Sequence, residues 1–197
     1  MADDFHTDYP RRFGRIVVGR AEDGVKLLKK SWRTKRLMGR PATDDRMRQM
    51  IAGETDAEMQ QAYAEMLQGS IAHPQQRQWY TAWILTLRDG TVIGDLCFKG
   101  PPAAGEVEVG YGLAPQYWGQ GYATEAARAA TAWAFQQPKV WTVSAETLPD
   151  NIASQKVLTK VGYLPDGDGK EGPRFQKNKA ASRWTLFSLV VGLGVGT

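Results

Sequence analysis

The stretch that most constrains the fold is Gln116-Tyr117-Trp118-Gly119-Gln120-Gly121-Tyr122-Ala123-Thr124, between a strand-like run and an alanine-rich helical run. Two glycines let the backbone come close to a ligand. A helix opening just after them points unpaired N–H groups and the positive end of its dipole back at the loop. That is a phosphate site, read here as one for the pyrophosphate of a nucleotide-containing cofactor. In the helix, Ala123, Ala126, Ala127, Ala130 and Trp133 form a small-residue stripe that packs close to a sheet. Glu125 and Arg128 are spaced to pair outside it.

The flanking segments alternate in type. Glu106 to Leu113 puts Val107, Val109, Tyr111 and Leu113 on one side and Glu106, Glu108, Gly110 and Gly112 on the other, the pattern of a strand. Carboxylates beside glycines leave room for a ligand; a half-exposed strand with a solvated acidic side would read the same way. Trp79–Leu87 and Thr91–Phe98, joined by Arg88-Asp89-Gly90, form an antiparallel hairpin. After the glycine loop and its helix, Pro138 blocks continuation and Trp141–Glu146 alternates as a strand. Asn151–Val161 is helical, with capping chemistry at Pro149-Asp150-Asn151 and Gly162 as its left-handed stop. Tyr163–Pro165 is a short strand, Asp166–Gly172 a flexible loop, and Arg183–Val191 a β-rich run. At the other end, Phe13–Val18 reads as the first strand. Residues 21–71 read as helical: Val25, Leu27, Leu28 and Trp32 near helical spacing, then a segment capped by Thr43, then one over 55–67. The sum is a mixed α/β layout.

At 197 residues the expectation is a single domain over 1–197, with 1–12 flexible and 192–197 frayed. A formal charge of +4 allows an anionic ligand without arguing for nucleic acid, and the basic residues of 26–48 lack an aromatic stacking series. A lone cysteine, Cys97, fits a reducing compartment and a core position, not a nucleophile. The acidic N-terminus lacks the apolar segment of a signal peptide, and the longest apolar run, Leu186–Val195, is too short for a membrane helix. The expectation is therefore a cytoplasmic protein with no membrane partner, a monomer or a homodimer.

The cofactor follows from what surrounds the loop. A dinucleotide fingerprint wants glycine or alanine where Thr124 stands, within a parallel unit, whereas this loop follows an antiparallel hairpin. No phosphate-loop motif of the Gly-x-x-x-x-Gly-Lys-Ser/Thr type is present. Gln116-x-x-Gly119-x-Gly121-Tyr122-Ala123-Thr124-Glu125-Ala126 resembles the acetyl-CoA-binding motif of the GNAT superfamily of N-acetyltransferases. Glu108-Val109-Gly110-Tyr111-x-Leu113 is similar to the preceding strand in the branch that acetylates ribosomal-protein N-termini (RimJ/RimL-like), and Asn151-x-x-Ser154-x-x-Val157-Leu158-x-Lys160-x-Gly162-Tyr163 to that branch's second motif. The likeness covers residues 106–165.

The resemblance implies a mostly antiparallel central sheet flanked by helices, and direct transfer of acetyl from acetyl-CoA, a cosubstrate, to a primary amine. The acceptor would be a protein N-terminus or a small molecule. It implies that Leu113 and Ala114 pair with the pantetheine arm, and that Gln116 and the backbone of Gly119, Gln120, Gly121, Tyr122, Ala123 and Thr124 hold the pyrophosphate. The base candidates are Glu108, which matches the strand motif, and Glu106. Many members carry a tyrosine acid four residues before the helix-ending glycine; here Leu158 stands in that place, leaving Ser154 and Asn151 to meet the sulfur. No metal is implied. A non-catalytic acyl-CoA-binding module is the alternative that the missing tyrosine keeps open.

Overall fold

A computed structural model describes the backbone of residues 17–20, 26–28 and 30–180, and side chains over 30–180. Ten strands form one sheet: β1 (Val17–Arg20), β2 (Lys26–Leu28), β3 (Ser31–Arg33), β4 (Leu37–Pro41), β5 (Trp83–Leu87), β6 (Val92–Phe98), β7 (Glu106–Leu113), β8 (Thr142–Glu146), β9 (Leu164–Asp168) and β10 (Pro173–Asn178). They run in chain order except that β10 lies between β8 and β9. All pairings are antiparallel save β7 with β8. Helices α1 (Asp44–Gly53), α2 (Ala57–Ala72), α3 (Tyr122–Phe135) and α4 (Ile152–Val161) complete the fold.

The expected mixed α/β sheet is present. The helical reading of the first part of 21–71 is overturned: β2, β3 and β4 occupy it. These strands are three to five residues long, too short for their alternation to stand out from a helical spacing. What holds them is distant pairing, Leu37 opposite Leu87 and Gly39 opposite Leu85. Trp32 is fully buried opposite Gly39, and a Cβ there would stand 2.3 Å from the indole. Only glycine lets that ring approach its neighbour strand so closely. The two later helices form as expected, with Thr43 accepting from Arg46 N–H at 3.2 Å and Asp56 from Met59 N–H at 2.9 Å.

The hairpin forms as β5 and β6, but Trp79 belongs to a preceding 3-10 turn, Pro74–Trp79. The short strand expected at Tyr163–Pro165 is the start of β9, while the flexible loop expected over Asp166–Gly172 is instead the end of β9 and the turn of the β9–β10 hairpin. Residues Phe13–Ile16, the run Arg183–Val191 and both expected frayed ends lie outside the described residues.

Two cores sit on opposite faces of the sheet. Under α3, Trp79 and Trp83 meet Phe98 edge to face and Trp83 meets Trp133 the same way with ring centres 4.6 Å apart, while Trp79 lies tilted against Trp133. Ala126, Ala127, Ala129, Ala130 and Ala134 are fully buried, which lets α3 lie close to the strands. On the other face α1 and α2 bury Met47 and Tyr63 against Ala42, Ala82 and Ile84.

Candidate active site

The site begins where two strands part. β7 and β8 pair in parallel only at Glu106–Thr142, Val107–Val143 and Glu108–Ser144, while β7 runs on to Leu113. Beyond Glu108 the two strands enclose a wedge. On its other edge β7 is laddered to β6, with Lys99 N–H bonded to Glu108 C=O and Ala114 N–H to Ile93 C=O, both at 2.9 Å. Antiparallel alternation then turns the backbone groups of Val109, Tyr111 and Leu113 toward the wedge. The Leu113 carbonyl accepts from Trp118 Nε1 at 2.7 Å, which folds that indole back over the strand end. Ala114 leads into a 3-10 turn, Pro115–Tyr117.

The glycine loop stands at the mouth of the wedge. Gly119 and Gly121 adopt φ of 71° and 79°, a left-handed backbone that glycine alone reaches at little cost. Gly121 is the N-cap of α3 and no side chain caps that first turn. The N–H groups of the turn formed by Tyr122, Ala123 and Thr124 therefore face the loop, at the positive end of a 14-residue helix. Gln116 folds over the loop base, its carbonyl accepting from Gln120 Nε2 at 2.9 Å. A pyrophosphate fits this cradle: glycine backbone, uncapped amides and an adjacent strand edge for an amide-bearing arm.

One contact here was not legible in the sequence. Glu125, expected to pair with Arg128, is turned to the β3–β4 turn instead. Arg36 bonds it through Nε at 2.6 Å and through its own N–H at 3.1 Å, and Thr34 Oγ1 also donates to it. Burial alone would raise the Glu125 pKa, but the bonds from Thr34 and Arg36 outweigh it and hold the carboxyl below its ordinary range.

The opposite face of β7 carries the carboxylates. Gly110 and Gly112 form a floor; a Cβ on Gly112 would meet nothing within 4 Å. Asp95 and Cys97 of β6 stand opposite Gly112 and Gly110 in register and so share this face. Glu108 Oε1 lies 2.6 Å from Lys99 Nζ, off hydrogen-bond geometry, and Lys99 also bonds Glu171 at 2.8 Å. Burial pushes the Lys99 pKa down, yet the two carboxylates more than reverse this and keep the amine charged.

Glu106 is more heavily engaged. It accepts from Ser144 Oγ at 2.6 Å and from Arg174, whose other arm meets Asp166. Burial raises its pKa, but these two donors overcome that and leave the carboxyl below its usual range. Beside the glycine floor, a cavity of about 270 Å³ lies between α1, α2 and the sheet, bounded by Arg46, Met50, Glu54, Tyr63 and Asp95. Tyr63 donates to Asp95 at 2.8 Å, and burial pushes both pKa values up. Burial likewise pushes the Cys97 thiol up to about 11, but the residue is partly buried on this face and belongs to neither core, in contrast to the core position expected from the sequence.

Across the wedge stands α4. Asn151 caps it, its side-chain oxygen taking Ser154 N–H at 3.0 Å. Leu158 is fully buried in the core. Ser154 Oγ lies 3.0 Å from Tyr111 Oη, so a bond links β7 to α4 across the wedge. Burial raises the Tyr111 pKa, with Ser154 acting against it, so the phenol stays protonated. The sequence placed Tyr111 on the apolar side of its strand; only the fold brings its hydroxyl to Ser154. Among the described residues no cluster of His, Cys, Asp and Glu could hold a metal, and no helix is long and apolar enough to cross a membrane.

Comparison with known proteins agrees with this geometry. The uncharacterized N-acetyltransferase YjdG of Bacillus subtilis (strain 168) is 31% identical over 87 residues, which is 43% of this chain and 52% of YjdG. The matched stretch thus spans about half the length of that curated relative. An acetyltransferase from Agrobacterium tumefaciens strain C58 superimposes with a TM-score of 0.58 at 25% identity, over 76% of this chain and 94% of its own. The fold also matches the ribosomal-protein-S5-alanine acetyltransferase from Vibrio fischeri, with a TM-score of 0.59 at 16% identity over 78% of this chain and 98% of that one. The family model described as an acetyltransferase (GNAT) domain matches residues 26–164, from the second strand through the helix that carries Ser154, and this chain is a member of the GNAT acetyltransferase family.

Proposed function

We propose that this protein is an acetyl-CoA-dependent N-acetyltransferase that passes acetyl directly to a primary amine, either a protein N-terminus or a small molecule. The observation that carries the reading is the two-sided build of β7. Its wedge edge, with the uncapped start of α3 at the mouth, suits a CoA arm and pyrophosphate; its other face sets Glu108 beside a glycine floor. The amine nitrogen attacks the thioester carbon, and its proton passes to Glu108 directly or through a water. Main-chain N–H groups near Leu113 steady the oxyanion. The C–S bond then breaks, and the departing thiolate accepts a hydrogen bond from Ser154, which its bond with Tyr111 keeps oriented, before taking its proton from water.

Glu108 is preferred to Glu106 because Glu106 is spent on Arg174 and Ser144. Asn151 acts by holding Ser154 in place. The strand and helix motifs of residues 108–113 and 151–163 favour the branch acting on ribosomal-protein N-termini. We place the protein in the cytoplasm, as a monomer or homodimer, with 1–197 as one domain.

The test is calorimetry with CoA followed by a thiol assay of CoA release from acetyl-CoA with a panel of primary amines. Micromolar-scale binding and amine-dependent release are expected. No heat at millimolar CoA sinks the reading. Binding without release for any amine converts it to the non-catalytic acyl-CoA module.

A further inference from the structure

Arg36 lies far in sequence from the glycine loop, yet the fold brings it there. Its Nη1 donates to the Gln120 carbonyl at 2.9 Å, inside the loop. Its guanidinium carbon sits 4.4 Å from the centre of the Tyr122 ring, a cation–π contact with the first residue of α3. Nε is taken by Glu125, whose own N–H bonds the Gly121 carbonyl at 3.1 Å. Nη2, which bonds no described residue, lies 3.5 Å from where a Cβ on Gly121 would stand. One side chain thus touches the residues on both sides of Gly121 and directs its remaining donor at the loop.

We infer that Arg36 is the cationic half of the pyrophosphate site, holding the loop in its left-handed shape through Gln120 and Glu125 and presenting Nη2 to a phosphate oxygen. This rests on the reading of acetyl-CoA as the donor. A helix start supplies partial charge and fixed amides; a planar fork adds a full charge with directional donors, which phosphate selects. Glu125 does not cancel that role, because it engages Nε and leaves the outer edge of the fork toward the loop. The β3–β4 turn, remote from the acetyl group, thereby becomes part of cofactor recognition.

The experiment compares two acetyl donors, acetyl-CoA and acetyl-pantetheine, the second lacking the pyrophosphate. In Arg36→Met the KM for acetyl-CoA should rise roughly tenfold, the size of one charge-assisted hydrogen bond. Turnover at saturation, and the KM for acetyl-pantetheine, should stay within about twofold of the parent, on the same bond-level reasoning. Arg36→Lys, which keeps the charge without the fork, should recover part of the loss. An unchanged KM for acetyl-CoA in Arg36→Met overturns the inference. An equal rise for both donors also overturns it, because it marks a structural role alone. A parent protein that binds no CoA refutes the underlying function instead, and is seen before any variant is made.

Discussion

Replacing Glu108 with glutamine should separate chemistry from folding and also report the class of the acceptor. The carboxylate sits 2.6 Å from Lys99 Nζ, but Lys99 keeps a second carboxylate, Glu171, at 2.8 Å. Side-chain exposures of 24% and 41% make this a solvent-screened pair. Such a pair contributes no more than about 1 kcal/mol, so the melting temperature should fall by at most about 2–4 °C. The rate is governed by proton accounting. In the limit where Glu108 only removes the ammonium proton, its loss costs whatever fraction of the acceptor is protonated. An α-amine, with a pKa of about 7.7–8.0, is roughly one-tenth free base at pH 7, so kcat/KM should fall about tenfold. An ε-amine, with a pKa of about 10.4, should lose on the order of a thousandfold or more at the same pH. The assay is initial CoA release against pH from 6 to about 10, within reach of both amine pKa values. The variant's rate should climb with pH and level off near the acceptor's own pKa, while the KM for acetyl-CoA stays unchanged. Unchanged turnover at saturating acceptor would refute the base assignment. A melting temperature far below the parent would refute the reading of the ion pair.

Three further outcomes follow from the site. Tyr111→Phe removes the partner of Ser154 Oγ and should lower kcat about three- to tenfold, the range of one neutral hydrogen bond, with little change in either KM; stopped assays of CoA release would show it. Gly121→Ala places a side chain at φ of 79° and should cost about 1–2 kcal/mol in a denaturant titration, together with CoA affinity by calorimetry. Glu106 and Glu125 have folded pKa values below their ordinary 4.5, so each stabilises the fold fully above that pH and loses its contribution as the pH falls through the folded value. Thermal melts should therefore drop steeply below pH 4.5, and the double variant Glu106→Gln, Glu125→Gln should show a shallower decline.

What the sequence shows depends on how far apart the cooperating residues are. The two faces of β7 were legible because Val107 and Val109 alternate with Glu106 and Glu108 within one strand. Asn151 and Gly162 announced both ends of α4 by local chemistry: a side-chain cap and a left-handed stop. The early strands were misread because β4 is held by β5, with Leu37 opposite Leu87. β10 escaped notice because Phe175 is its one buried residue and polar side chains surround it. The two couplings that extend the site, Arg36 with Glu125 and Tyr111 with Ser154, span 89 and 43 positions. Such pairs have no local signature; the fold alone creates them.

The parting of β7 from β8 after Glu108 also bears on how the protein behaves when handled. A strand with main-chain donors and acceptors along an open edge is a template for any extended chain, including another copy of itself. A cosubstrate arm that pairs with that edge acts as a temporary strand and stabilises the native state by an amount that grows with the logarithm of its concentration over its dissociation constant. Saturating CoA should therefore slow amide exchange at Val109, Tyr111 and Leu113 and suppress aggregation on heating, so that the sheet is shielded by the same molecule that carries the acetyl group in and leaves without it.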